Sequence, residues 1–406
     1  MSAREERVAV SDAEASPADR DLTLSLVRDD PPFRALRSVG LIPHTGLGLV
    51  RRAVFFALLS WLPIAIWSWT AGRAISTAAG EPLLQHFGVH VRCLVAIPIL
   101  ILAQGLAHRI TTHLLPWFVK SGVITADKAP AFRDVVRGMQ TLRNHTLPWV
   151  MIVGVVIVVA ATGPMLTRTD ELSWALDATK SPPEFGFGGW WFLFVARPIY
   201  AALVLGWLWR VVLLTVLFRR ISKLGLELVP THPDRAGGIG FVEHFAKMFI
   251  PVVFVLSAAV GSHWAHNVLY HDMDVQSLRV PFVVFLVVML LIFVTPLLVF
   301  YGPLRAARKQ ALLEYGALVG QHDDFVRRRW ILHEKLPNDD VLNAPELGPV
   351  ADTVSLYDAI ERMRVVPIGR SILILLGVPA LIPLLLVFAI KVPITDILMK
   401  LVHAVA

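Results

Sequence analysis

The densest set of groups able to do chemistry lies in Thr231-His232-Pro233-Asp234-Arg235-Ala236-Gly237-Gly238-Ile239-Gly240. His232 and Asp234 could pass a proton, and Arg235 carries a fixed positive charge. Gly237 and Gly238 permit positive φ and close backbone approach to an anion. The same residues also suit a tight structural turn, with proline stiffening its start and the aspartate accepting backbone N–H groups. The Lys-Ser/Thr ending of a phosphate P-loop is missing, and no strand precedes the glycines.

Two arginines, Arg197 and Arg210, stand inside one long apolar run. Ionisable groups at membrane depth are costly and point to ion pathways or to buried pairing. Thirteen residues separate them, about 20 Å along a helix and about 140° around it, so they cannot form one stripe. Either could instead reach a membrane interface with its long side chain. Arg210 is the stronger pathway candidate, because Val211–Phe218 continues apolar beyond it.

Histidines form a third group. His263 and His266 are three apart, and His271, Asp272 and Asp274 follow; His86 and His90 are four apart in an earlier loop. Imidazoles and carboxylates at such spacings can hold zinc or a similar ion, or titrate together. A metal on His263, His266, His271 and Asp272 is the one cofactor the sequence suggests, although no strict ligand motif such as His-Glu-x-x-His occurs.

The elements that must position these groups are membrane helices. The chain has 406 residues, 55% hydrophobic and only 17% charged, with a mean hydropathy of +0.63. That balance excludes a disordered chain or a disulfide-stapled module and points to a bilayer. Runs long enough to cross about 30 Å of hydrocarbon occur at 53–71, 91–108, 147–166, 190–218, 248–268, 280–302 and 371–390. The expected fold is therefore an all-α polytopic bundle of about seven spans. Pro379 and Pro383 interrupt the last one, which reads as a kinked helix or a re-entrant hairpin.

Lys and Arg set the orientation. Segments 31–52, 109–146, 219–247 and 303–370 carry 25 of them, and segments 72–92, 167–189, 269–279 and 391–406 carry 7. The positive-inside rule then places the N-terminus in the cytosol and the histidines outside. This distribution also accounts for the net charge of +7 without nucleic acid as a partner. The single Cys93 can form neither an internal disulfide nor a thiolate metal site.

Residues 1–33 read as a disordered cytosolic tail, 34–302 as the membrane region and 303–370 as a helical cytosolic segment. Residues 371–406 read as the last span with an amphipathic C-terminal helix. Within the cytosolic layer, 125–144 reads as a basic helix with Ala131, Val135, Met139 and Leu142 on one side. The sixth span reads as running on unbroken into residues 303–334.

The stretch His232 to Gly238 resembles the cytosolic His-Pro-Asp-x-Ala-Gly-Gly loop of an uncharacterised bacterial multi-pass membrane family. Members also carry an Asp-Ile-Gln-Ser-Leu segment and a Met-Arg-x-Val-Pro step before the last span. The counterparts here are Asp352-Thr353-Val354-Ser355-Leu356, only partly matching, and Met363 to Pro367. The resemblance covers roughly 220–400 and implies a bacterial inner-membrane protein with no assigned activity.

Taken together, these features read as an oligomeric channel or transporter for small ions, with anions suiting the arginines best. The near absence of carboxylates from the spans argues against a proton-coupled pump. The alternative is a membrane-embedded enzyme, or a ligand- or metal-binding sensor, that uses His232 and Asp234. The balance tilts away from an enzyme. A lipid bilayer, a small ion and further copies of the chain are the expected partners.

Overall fold

The computed structural model describes residues 22–43, 46–75, 81–166, 169–177, 184–334 and 348–390. Among the described residues, seven helices are long and apolar enough to cross a membrane: Leu49–Thr70, Phe87–Lys120, Ala129–Thr162, Phe187–Ile221, Gly240–Tyr270, Val275–Leu298 and Arg370–Ala389. They are called the first to seventh spans below. The fold is an all-α polytopic bundle. Its only strands among the described residues are β1 (Leu176–Asp177) and β2 (Glu184–Phe185), an antiparallel pair. The end at which the first span starts is the amino face, and β1–β2 caps the opposite face.

The second, fourth and fifth spans are the most buried and form the centre. The third is almost wholly exposed along residues 146–162, where Val150, Met151, Val153, Ile157 and Val158 point outward. Such a surface is stable only against lipid or another apolar partner.

The second and fourth spans share a local device. Each passes through a π-helical turn, Val91–Ala96 and Phe192–Ala196, with Ile97 N–H reaching Arg92 O and Arg197 N–H reaching Phe192 O. Pro98 and Pro198 follow at once. A proline lacks an N–H and crowds the carbonyl four residues before it, and the wider turn relieves both defects.

The seventh span resolves the choice left open by its prolines. Arg370–Ala389 is one helix containing Pro379 and Pro383, and it packs along the fifth span. Gly261 makes the close approach possible: a Cβ there would lie 3.0 Å from the Pro383 carbonyl oxygen. Gly261→Val should therefore separate these two helices and cost about 1–3 kcal/mol. A lower melting temperature in detergent is the expected result, and wild-type stability would refute the packing argument.

On the amino face the helices project beyond the apolar runs and the main core continues between them. Phe118, Phe132, Phe218, Phe245 and Phe300 are all fully buried there, with Phe218 5.2 Å from both Phe245 and Phe300 between ring centroids. The basic helix Ala129–Asn144 buries Phe132, Val136, Met139 and Arg143. This stripe is rotated from the expected one of Ala131, Val135, Met139 and Leu142, because Phe132 anchors the helix against Phe118.

The sixth span also differs from its expected continuous form. It ends at Leu298, turns through Val299 and Phe300, and resumes as α2 (Tyr301–Val326), the second helix outside the spans among the described residues. Pro303 lacks the N–H that would bond back across this turn. The third such helix, α3 (Gly348–Glu361), pairs with α2.

The largest departure concerns the tail. Residues 22–33 are ordered, and Leu24, Leu26, Val27 and Phe33 are buried at 1–2% exposure. Full burial of each such side chain stabilises by about 1.5–3 kcal/mol, ample to hold a short segment in place. This segment leads into α1 (Pro31–Ser38), the first helix among the described residues. Residues 1–21 and the expected amphipathic C-terminal helix at 391–406 lie outside the described residues.

Candidate functional site

Three polar constellations stand out, and each draws on residues far apart in the chain. The first is a charged layer near the amino face. Asp30 caps α1, its Oδ1 accepting the Phe33 N–H at 2.8 Å behind Pro31 and Pro32. An aspartate before two prolines is a helix-start signature. Its other oxygen, Oδ2, accepts from Arg210 Nη2 at 3.4 Å, and both side chains are 4% exposed. Arg52 of the first span and Arg143 of the third also act on this carboxylate electrostatically.

Arg52 donates to Gln104 Oε1 of the second span at 2.8 Å, and Arg143 donates to the Ser25 carbonyl. His108 meets the Ser25 hydroxyl at 2.9 Å. Arg210 also lies over the Trp207 ring, 5.2 Å from its centroid. One guanidinium group thus pairs with a buried carboxylate that comes from outside the bundle, and two more from other spans act on it through space, Arg143 being drawn to Asp29 as well. The two arginines of the fourth span part company, as their spacing requires. Arg197 starts the α-helical stretch after the π-turn and is half-buried, far from this layer.

The second constellation is the glycine-rich loop at the amino face. Asp234 accepts N–H groups from Ala236 at 2.8 Å, Gly238 at 3.2 Å and Gly240 at 2.7 Å, and lies 2.9 Å from His232 Nδ1. Burial alone would raise its pKa, but these hydrogen bonds outweigh it and hold the carboxyl below the usual carboxylate range. Gly237 and Gly238 take φ of 66° and 91°, and Arg235, itself exposed, takes 56°.

Arg364 completes the loop, donating its Nη2 to the Asp234 carbonyl at 2.9 Å and its N–H to the Arg235 carbonyl at 2.7 Å. The Met363 side chain packs on Gly237. The step before the last span and the glycine loop therefore form one structural joint. His232 is half exposed, but Asp234 is fully engaged in building the turn.

This predicts a stability phenotype. Asp234→Ala should cost about 1.5–3 kcal/mol, because it strands backbone donors. A carboxyl with a depressed native pKa adds stability that is present at neutral pH and lost as pH falls past the unfolded-state value and through the lower native one. The variant should lose this acid-side dependence, a result readable from melting temperatures between pH 3 and pH 7. Unchanged profiles would argue against the turn-building role.

The third constellation lies at the opposite face. Glu81 Oε2 is 3.0 Å from His266 Nε2 and 3.3 Å from His86 Nε2, and Glu81 Oε1 is 3.5 Å from His271 Nε2. The His86 and His266 rings lie 4.5 Å apart, and both residues are buried. Ser173 Oγ approaches His86 Nε2 at 3.2 Å, and His266 Nδ1 meets the Gln85 carbonyl at 3.1 Å.

Of the expected metal ligands, His266 and His271 enter this cluster. His263 turns outward to Asn267, and the exposed Asp272 takes a φ of 49° at the turn that follows the fifth span. Three helical residues place His263 and His266 about 60° apart, which is enough to send one to solvent and one inward. Glu81 was not anticipated. Its signal is its isolation as the only carboxylate in 72–92, five residues before His86.

Comparison of the chain with protein-family models, curated proteins and solved structures gives no match.

Proposed function

We propose that this chain is a channel or transporter for small anions, seated in a bacterial inner membrane with its amino face in the cytosol. The observation that carries the reading is the buried Arg210–Asp30 pair, on whose carboxylate Arg52 and Arg143 also act electrostatically. Three spans supply positive charge to one buried place, and the balancing carboxylate arrives on a segment that docks from outside. Asp30 occupies the position a permeating anion would take, so the segment 22–38 acts as a stopper whose displacement opens an arginine-lined mouth.

The distribution of 25 Lys and Arg against 7 supports the orientation. Assembly around a common axis and kinship with the His-Pro-Asp-x-Ala-Gly-Gly membrane proteins are parts of the same proposal. The enzyme and sensor reading centred on His232 and Asp234 is disfavoured by the engagement of Asp234 with three backbone donors.

Flux from liposomes tests the proposal. Vesicles loaded with chloride or nitrate and diluted into an impermeant anion should discharge through the wild-type protein. Asp30→Asn should discharge faster, and Arg210→Gln in the same background should stop it. Absence of anion flux from both wild type and Asp30→Asn would sink the reading.

A further inference from the structure

Outside the proposed anion path, the opposite face holds a constellation with a different chemistry. His266 Nδ1 lies 3.1 Å from the Gln85 carbonyl, an oxygen that can only accept, so this nitrogen carries the ring proton. In the neutral ring, Nε2 then offers a lone pair, and it faces the Glu81 carboxylate at 3.0 Å. Neither His266 Nε2 nor Glu81 Oε2 has a hydrogen-bond partner, and both atoms are shielded from solvent. Two electron-pair donors this close repel each other unless a proton on His266 or a metal ion lies between them.

The grouping of the three ligand atoms is compatible with an ion the size of zinc, with the His266–Glu81 contact shorter than the ideal spacing. Around a tetrahedral zinc with bonds of about 2.0–2.2 Å, neighbouring ligand atoms stand about 3.3–3.5 Å apart. The Glu81 oxygen lies 3.0 Å from His266 Nε2 and 3.3 Å from His86 Nε2, and the three ligand atoms lie within 4.8 Å of one another. The contact to Gln85 is the outer support that fixes a metal-binding histidine in its tautomer. His271, at the rim, approaches the other Glu81 oxygen at 3.5 Å and lies outside the three-residue group.

We infer that Glu81, His86 and His266 form a binding site for a divalent late transition metal, zinc above all, with His271 at its mouth. Two imidazoles and a carboxylate favour zinc over magnesium or calcium, which prefer all-oxygen shells. The ion would tie the loop before the second span to the end of the fifth, closing the opposite face of the bundle.

The test uses the full-length protein in detergent after treatment with a chelator. Zn2+ titrated against a chromophoric competitor should bind at one equivalent per chain. His266→Ala and Glu81→Gln should each weaken binding at least about 100-fold, whereas His263→Ala and Asp272→Ala should leave it unchanged. Co2+ added to the wild-type protein should give the intense visible bands of a tetrahedral site, a readout independent of whether any variant folds. Lack of stoichiometric Zn2+ binding, a weak octahedral Co2+ spectrum, or binding lost in His263→Ala but kept in His266→Ala would each overturn the assignment. None of these outcomes bears on anion flux.

Discussion

Arg210→Met should cost the protein about 3–5 kcal/mol, the largest stability loss expected from any single change in the charged layer. The substitution removes the donor to Asp30 Oδ2, and the carboxylate is then left in a place that is 4% exposed. Asp30 cannot turn to water without releasing the Phe33 N–H and undoing the start of α1. The double variant Asp30→Leu/Arg210→Met should recover much of the loss, because two packed apolar side chains replace two desolvated charges. Melting in detergent, compared across the cycle of single and double variants, reads the coupling directly. If the two single losses simply add, the pair is not coupled and the layer is not a unit.

The same pair shows what the sequence could and could not reveal. Seven spans were legible because a bilayer demands about 20 apolar residues in a row, and any such run is visible without its neighbours. The oblique clue to Arg210 was also visible, as a charge in an apolar stretch. Its partner was not, since Asp30 lies 180 residues earlier in a stretch that begins with many charges. Composition averaged over residues 1–33 hides Leu24, Leu26, Val27 and Phe33, four buried side chains that dock the segment. The Asp-Pro-Pro helix start was the local signal that part of this stretch is ordered.

The histidine cluster fails to be read for a related reason. Spacing along one helix reports which face a residue takes, and it separates His263 from His266 only if the buried face is known. Glu81 and His86 reach the cluster through tertiary packing, with Trp67 and Trp174 ordering the cap around them. By contrast, the glycine loop was legible as a turn because its bonds are local: Asp234 binds residues two, four and six places ahead. Its closure by Arg364, 130 residues away, was not.

Asp30→Asn should make the stability of the protein depend on the anion in the buffer, which the wild type should not. Asparagine keeps an oxygen for the Phe33 N–H, so α1 retains its cap. The substitution removes the negative charge that Arg210 pairs with and that Arg52 and Arg143 feel, leaving an excess of positive charge in the layer although Asp29 still acts on Arg143. A small anion that binds there only in the folded state must stabilise that state by mass action, by about 2.7 kcal/mol at 100 times its Kd. Chloride or nitrate should therefore raise the melting temperature of Asp30→Asn above that in an equal concentration of a large anion such as gluconate. Arg210→Gln in the same background should abolish the difference, since the layer then lacks the guanidinium that faces residue 30. Ionic strength alone cannot mimic this pattern, because the compared salts are matched and the effect must vanish with one arginine. Equal melting temperatures in all salts would mean that Asp30 is a structural counter-charge and not a stand-in for a permeating anion.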